Sequence, residues 1–323
     1  MRRLFLAAIA AQALSMYGVT VPSRADESGA SAWLPGQFAS FAAVPGDPGF
    51  TFETIYYQRG ASAGANRTFP IGANLAAGYD ISEQYLYLTP SYAFAQPVLH
   101  GQLILGLTFT VARADTSVTA VLTGPGGGAL SASRGDTMTG FGDLYPTASL
   151  KWAVGEHNFM TYTMLSAPTG QYDPNRIAGL SLGHWAIDGG LGYTYEGESG
   201  FEASVTAGMT YNFINPYTQY QSGIDGHIDL AASYSPNEAV YFGPVGYYYN
   251  QISPDTGPGA RLGGFKSTVA GAGAQFGYAL ALGGVAVDLN LRGYKEFDAQ
   301  NRPEGWNVWL TISLSKHHGK STR

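Results

Sequence analysis

From Phe201 to Phe213, apolar side chains (Phe201, Ala203, Val205, Ala207, Met209, Tyr211 and Phe213) alternate with Glu202, Ser204, Thr206, Gly208, Thr210 and Asn212. A period of two puts the sets on opposite faces of a strand, and the run suits a tilted membrane-crossing strand of about 9–11 residues plus its ends. Leu99–Ala112 repeats the pattern, with Leu99, Leu103, Leu105, Leu107, Phe109 and Val111 facing one way and Ile104 as the exception. In Val285–Glu296, Val285, Val287, Leu289 and Leu291 oppose Asp288, Asn290, Arg292, Tyr294 and Glu296. Further strands are expected at Thr51–Gln58, Leu86–Ala95, Asp143–Ala153, Asn158–Ala167, Trp185–Glu196, His227–Ser235, Val240–Asn250, Thr268–Leu280 and Trp306–Leu314. That makes about twelve strands, with fourteen as the fallback; Ser117–Thr123 reads as an extra strand or an extension.

Between the strands, short turns (Glu196–Gly200, Ser235–Glu238) alternate with longer stretches at Arg59–Ile81, Ala114–Phe141, Gly170–His184, Asn212–Gly226, Gln251–Lys266 and Phe297–Gly305. Short periplasmic turns and longer external loops are what an up-and-down meander requires. The expected fold is therefore all-β, a transmembrane antiparallel β-barrel. Aromatic residues near strand ends, Tyr85, Tyr87, Tyr211, Phe213, Tyr247, Tyr248, Tyr249, Tyr294, Phe297 and Trp306, suit girdles at the two membrane interfaces.

The chain begins Met1-Arg2-Arg3, followed by an apolar run from Leu4 to Leu14 and a Ser23-Arg24-Ala25 sequence. The run is too short for the roughly 20 residues of a spanning helix. It reads as a secretory signal, residues 1–25, cleaved after Ala25. Residues 26–49 form an N-terminal segment, 50–315 the barrel and 316–323 a polar tail. Only 12% of the 323 residues are charged, 44 are Gly, 22 are Tyr and none is Cys, which excludes a disulfide scaffold and a thiolate metal site. A net charge of -6 provides no basic stripe for nucleic acid.

If the apolar faces meet lipid, the alternate residues line a lumen. Lumen candidates are His227, Asp229, Asp288, Asn290, Arg292 and Glu296. Asp288, Arg292 and Glu296 read first as an ion-pair ladder with neighbouring strands that braces the wall, and otherwise as the lining of a path; His227 and Asp229 either line a path or pair with each other. The segment before the first strand carries Trp33, Leu34, Phe38 and Phe41, which must be buried somewhere, and a plug in the barrel mouth satisfies them. No catalytic motif (G-x-S-x-G, H-E-x-x-H) and no strand-spaced His pair for a metal occurs, so the expectation is no enzyme, no metal and no cofactor.

An ordered set of short motifs runs along the chain. Leu34-Pro35-Gly36, Ala42-Ala43-Val44-Pro45 and Leu88-Thr89-Pro90-Ser91-Tyr92 come first, then Gly140-Phe141-Gly142-Asp143-Leu144 and Ala167-Pro168-Thr169-Gly170-Gln171-Tyr172-Asp173. Tyr211–Asn215, Thr218–Gly223, His227-Ile228-Asp229, Tyr294–Phe297 and Asn301–Gly305 follow. Together they resemble the family assigned to the MetA pathway of phenol degradation, outer-membrane transporters. The resemblance implies a channel for passive uptake of small apolar or aromatic compounds, inserted in outer-membrane lipid by the barrel-assembly machinery. The alternative is a structural or adhesive barrel with a closed lumen.

Overall fold

The computed structural model describes residues 31–68, 74–123, 127–260 and 263–316; the leader and most of the polar tail lie outside these. The strands are β1 (Gly49–Thr68), β2 (Asn74–Ala93), β3 (Gln102–Thr123), β4 (Ala129–Phe141), β5 (Tyr145–Val154), β6 (His157–Ser166) and β7 (Ala186–Glu196). They continue with β8 (Phe201–Asn212), β9 (Asp225–Asn237), β10 (Val240–Gln251), β11 (Thr268–Leu282), β12 (Val285–Gln300) and β13 (Glu304–Lys316). Each pairs antiparallel with its neighbour in sequence, apart from the β4–β5 step, and β1 pairs with β13, Thr51 opposite Ser315 through Ser62 opposite Glu304. That pairing closes the sheet into a ring.

Thirteen strands make a barrel of twelve staves because β4 and β5 share one edge of β3: Gln102–Thr108 pairs with β5, and Val111–Thr123 with β4. The stave breaks at Gly142–Leu144. Beyond the break β4 pairs with β3 alone, and its other edge is covered by residues 171–178. Arg176 holds Asp136 and donates to Thr137 O (2.7 Å), while Arg134 donates to Asn175 O (3.1 Å).

Three expected long loops are mostly strand. Arg59–Ile81 belongs to the β1–β2 hairpin, Ala114–Phe141 to β3 and β4, and Phe297–Gly305 to the ends of β12 and β13. The polar residues that suggested loops sit on strands prolonged past the apolar band, where both faces meet polar surroundings and alternation fades. Ser117–Thr123 is an extension of β3. Gly170–His184, Asn212–Gly226 and Gln251–Lys266 do hold the irregular connections 167–185, 213–224 and 252–267. The opposite end carries tight turns such as 155–156, 238–239 and 283–284.

Outward side chains form an apolar belt, with Leu105, Phe109, Ile187, Leu191, Ile228, Leu230, Phe276, Leu291 and Leu310 all exposed. Aromatic rings edge it: Phe50, Tyr92, Phe159, Phe201, Tyr234 and Phe242 near the short turns, and Trp185, Tyr211, Tyr248, Phe297 and Trp306 near the long loops. This is the surface lipid selects. Half of the expected girdle is elsewhere. Tyr87, Tyr247, Tyr249 and Tyr294 are buried in the lumen with Tyr85 packed beside them, because each occupies the inward position of its strand.

Candidate transport path through the barrel

Residues 31–48 run inside the barrel, and the sequence Leu34-Pro35-Gly36-Gln37 explains how they turn there. Gln37 N donates to Leu34 O (3.1 Å) and Gly36 has φ 86°, a type II turn with Pro second and Gly third. A Cβ on Gly36 would sit 2.9 Å from the Tyr294 ring, so glycine is required twice over. Opposed charges grip the turn. Asp229 accepts from Gly36 N (3.1 Å) and Phe38 N (2.9 Å), while Arg292 donates from Nε to Gly36 O (3.1 Å) and from Nη2 to Gln37 O (3.1 Å). Arg292 Nη1 bonds Asn290 Oδ1 (2.9 Å), and its guanidinium lies 4.8 Å from the Trp309 ring centre.

Towards the short turns the contacts continue. Phe41 N donates to Glu202 (3.0 Å), Ala43 N to Thr194 (3.2 Å) and Lys151 Nζ to Val44 O (3.2 Å), and Gln102 exchanges two bonds with Gly46. The segment therefore resembles an irregular strand whose backbone is satisfied by wall side chains, as a buried non-regular backbone must be.

The four apolar residues of the segment divide in role. Trp33 is fully enclosed and stacks on His227, with centroids 3.8 Å apart and planes 10° from parallel. His227 Nε2 lies 2.9 Å from Asp188, which also accepts from Thr210 (2.6 Å). His227 thus pairs with Asp188 of β7 and not with Asp229, which is committed to the turn. Phe38 packs on Tyr162 at 4.9 Å, and Phe41 meets Tyr241 edge-on at 5.1 Å. Leu34 and Phe38 also line a cavity of about 390 Å³ left between the segment and the wall.

That cavity has a graded lining. Tyr87, Tyr145, Tyr162, Met160, Met164, Ile55 and Trp309 provide apolar and aromatic surface; Thr89, Thr108, Thr147, Ser149 and Thr311 provide hydroxyls; Glu53, Lys151, Asp288 and Arg292 bring charge. Asp288 and Asn290 face this space, whereas Glu296 lies nearer the long loops, accepting from Tyr247 Oη (3.0 Å) and Gly305 N (2.8 Å). The expected ladder of Asp288, Arg292 and Glu296 is not formed: the four bonds of Arg292 go to backbone and neutral side chains, because the inserted turn offers carbonyls at the right height.

From the other end, residues 176–184 fold into the lumen. Ala178 and Leu180 are buried against Ala112, Ala114 and Met138, and Leu182 meets Ala32 and Ala186. Asp143, in the broken stave, accepts from Gly170 N (3.0 Å) and Leu182 N (2.9 Å) and so fixes this inward course. Asp188, Glu202, Lys151 and Arg59 were missed as lumen residues. Their signal was available in the alternation of their strands, except for Arg59, which was assigned to a loop one residue beyond the expected end of β1.

A match to the family described as "Putative MetA-pathway of phenol degradation" spans residues 64–312. The chain belongs to this family. Among solved structures, an outer membrane channel from Pseudomonas putida F1 aligns over 88% of this chain and 100% of its own, with 14% identity and a TM-score of 0.61. The β domain of a Bordetella autotransporter (11% identity, 84% of this chain and 100% of its own, TM-score 0.46) and a FadL homologue of Pseudomonas aeruginosa (9%, 83% and 89%, 0.39) are more distant. No curated protein matches the chain significantly. The short motifs of the sequence fall at these contacts: Leu34-Pro35-Gly36 is the inserted turn, His227 and Asp229 hold Trp33 and that turn, and Gly140–Leu144 meets Ala167–Asp173 at the broken stave.

Proposed function

We propose that this member of the family is an outer-membrane channel for the passive uptake of small apolar or aromatic solutes, in which residues 31–48 act as a plug that restricts flow. The observation that carries the reading is the cavity beside the segment: its aromatic and thioether lining, interrupted by hydroxyls, suits a weakly polar ring. The apolar belt with two aromatic edges supports insertion in outer-membrane lipid, with the long loops outside. Assembly follows export behind the leader that ends at Ala25, and insertion uses the barrel-assembly machinery.

Planar-bilayer recording tests the plug. Removing residues 31–48 from the mature chain should raise single-channel conductance several-fold, and unchanged conductance would remove the plug. The second reading, a closed structural barrel, is favoured by the dense bonding of the segment to the wall. Liposome swelling with phenol-sized and sugar-sized solutes separates the two: a closed barrel admits neither, whereas the channel admits the smaller.

A further inference from the structure

On the inner face of β1, Glu53 and Ile55 line the cavity, Tyr57 comes next and Arg59 after it. Tyr57 packs on Trp309 with centroids 4.4 Å apart, so this aromatic layer roofs the cavity and Arg59 lies beyond it, towards the long loops. Arg302, in the connection between β12 and β13, places its guanidinium 4.7 Å from the Tyr249 ring centre. Both arginines are more than nine-tenths buried, and the β1–β13 register sets Arg59 opposite Asn307 and Ser62 opposite Glu304, two residues after Arg302.

Their nitrogens are incompletely used. Arg59 Nη1 is 3.6 Å from Glu83, but its Nε and Nη2 are covered and find no hydrogen-bond partner among the described residues. Nε and Nη1 of Arg302 are in the same condition. The nearby acid Glu296 is occupied by neutral donors, Tyr247 Oη and Gly305 N. Covered guanidinium N–H groups without acceptors are costly, and their survival calls for an explanation. Nε and Nη2 of one arginine form the parallel fork that takes a carboxylate bidentately.

We propose that Arg59 and Arg302 are a receiving site for the carboxylate of an aromatic acid, which reaches them from the long-loop end before its ring passes the Tyr57–Trp309 layer. The tyrosines around the arginines take the ring. Glu83, 3.6 Å from Arg59, already offsets one of the two positive charges, so a phosphate dianion is disfavoured against a single carboxylate. The proposal rests on the channel reading and specifies its substrate class.

The test is calorimetric titration of the full mature protein in detergent with benzoate and with benzyl alcohol, which share ring and size but not charge. Benzoate should bind about tenfold or more tightly than benzyl alcohol, and Arg59→Gln or Arg302→Gln should each remove that advantage while leaving benzyl alcohol unchanged. Heat-modifiable mobility on gels verifies that each variant is a folded barrel. Formate provides a check on the unaltered protein: excess formate should weaken benzoate and spare benzyl alcohol. Equal binding of the two ligands to the unaltered protein, or full benzoate affinity in both variants, overturns the arginine site while leaving the passage of apolar solutes standing. If neither ligand binds, both readings are overturned.

Discussion

At the scale of single residues, the lumen is organised by polar groups whose partner is a backbone. Asp229 and Arg292 sit on β9 and β12, and both are committed to the Gly36–Phe38 turn. Asp229→Ala leaves two buried N–H groups without an acceptor, a loss of about 2 kcal/mol or more. The expected outcome is a segment that leaves its seat for part of the time, seen as larger or noisier single-channel currents with the barrel intact. Arg292→Gln should act in the same direction. Trp33→Ala removes the ring stacked on His227; with an aromatic pair contributing about 0.5–1.5 kcal/mol beyond its burial, it should increase protease cleavage near residue 33 without altering the strands.

At the scale of elements, the informative place is the break between β4 and β5. Gly142 and Gly170 approach so closely that a Cβ on Gly170 would lie 2.5 Å from the Gly142 carbonyl carbon. Neither backbone can move aside without releasing the bonds Asp143 makes to Gly170 and Leu182. Gly170→Ala and Asp143→Ala should therefore each loosen residues 172–184, with faster hydrogen exchange confined to that stretch and β7–β13 unchanged. This element was hard to read in the sequence for a physical reason. Ala129–Phe141 lies above the apolar belt, where Ser131, Ser133, Arg134, Asp136 and Thr137 are polar on both faces, so no period of two survives. By contrast, β8 and β12 stand within the belt and keep the period of two: Glu202, Arg292 and Glu296 fall on the polar, inward parity, though Glu202 was not singled out as a lumen candidate. Tyr85, Tyr87, Tyr247 and Tyr249 were misplaced, and Tyr294 was given both an inward and an interface position, because tyrosine suits both a membrane interface and a buried hydroxyl network. Only the parity of each strand position decides between them.

At the scale of the whole molecule, an apolar exterior encloses a polar, densely bonded interior, the inverse of a soluble domain. The lumen is obstructed from two directions, by residues 31–48 from one end and residues 176–184 from the other, which meet at Ala32 and Leu182. Removing either obstruction alone should open less of the section than removing both. The conductance of a chain lacking 31–48 should therefore rise again when Leu182→Gly is added, and no further increase would mean that the inner loop does not limit flow. That the sheet forms a barrel of about twelve strands was legible from the recurrent alternation and the short turns. The mutual contact of the two inserts was not, since no local pattern records a meeting of residues 150 positions apart.

The inserted segment also dictates an order of events. It is made before any strand of the barrel, yet Gly36 is held by Arg292, 256 residues later, and by Asp229, 193 residues later. Its seat does not exist until β9 and β12 are in place, and β1, to which it is joined, must then find β13. The piece synthesised ahead of the barrel thus finds its seat only after most of the barrel has been made.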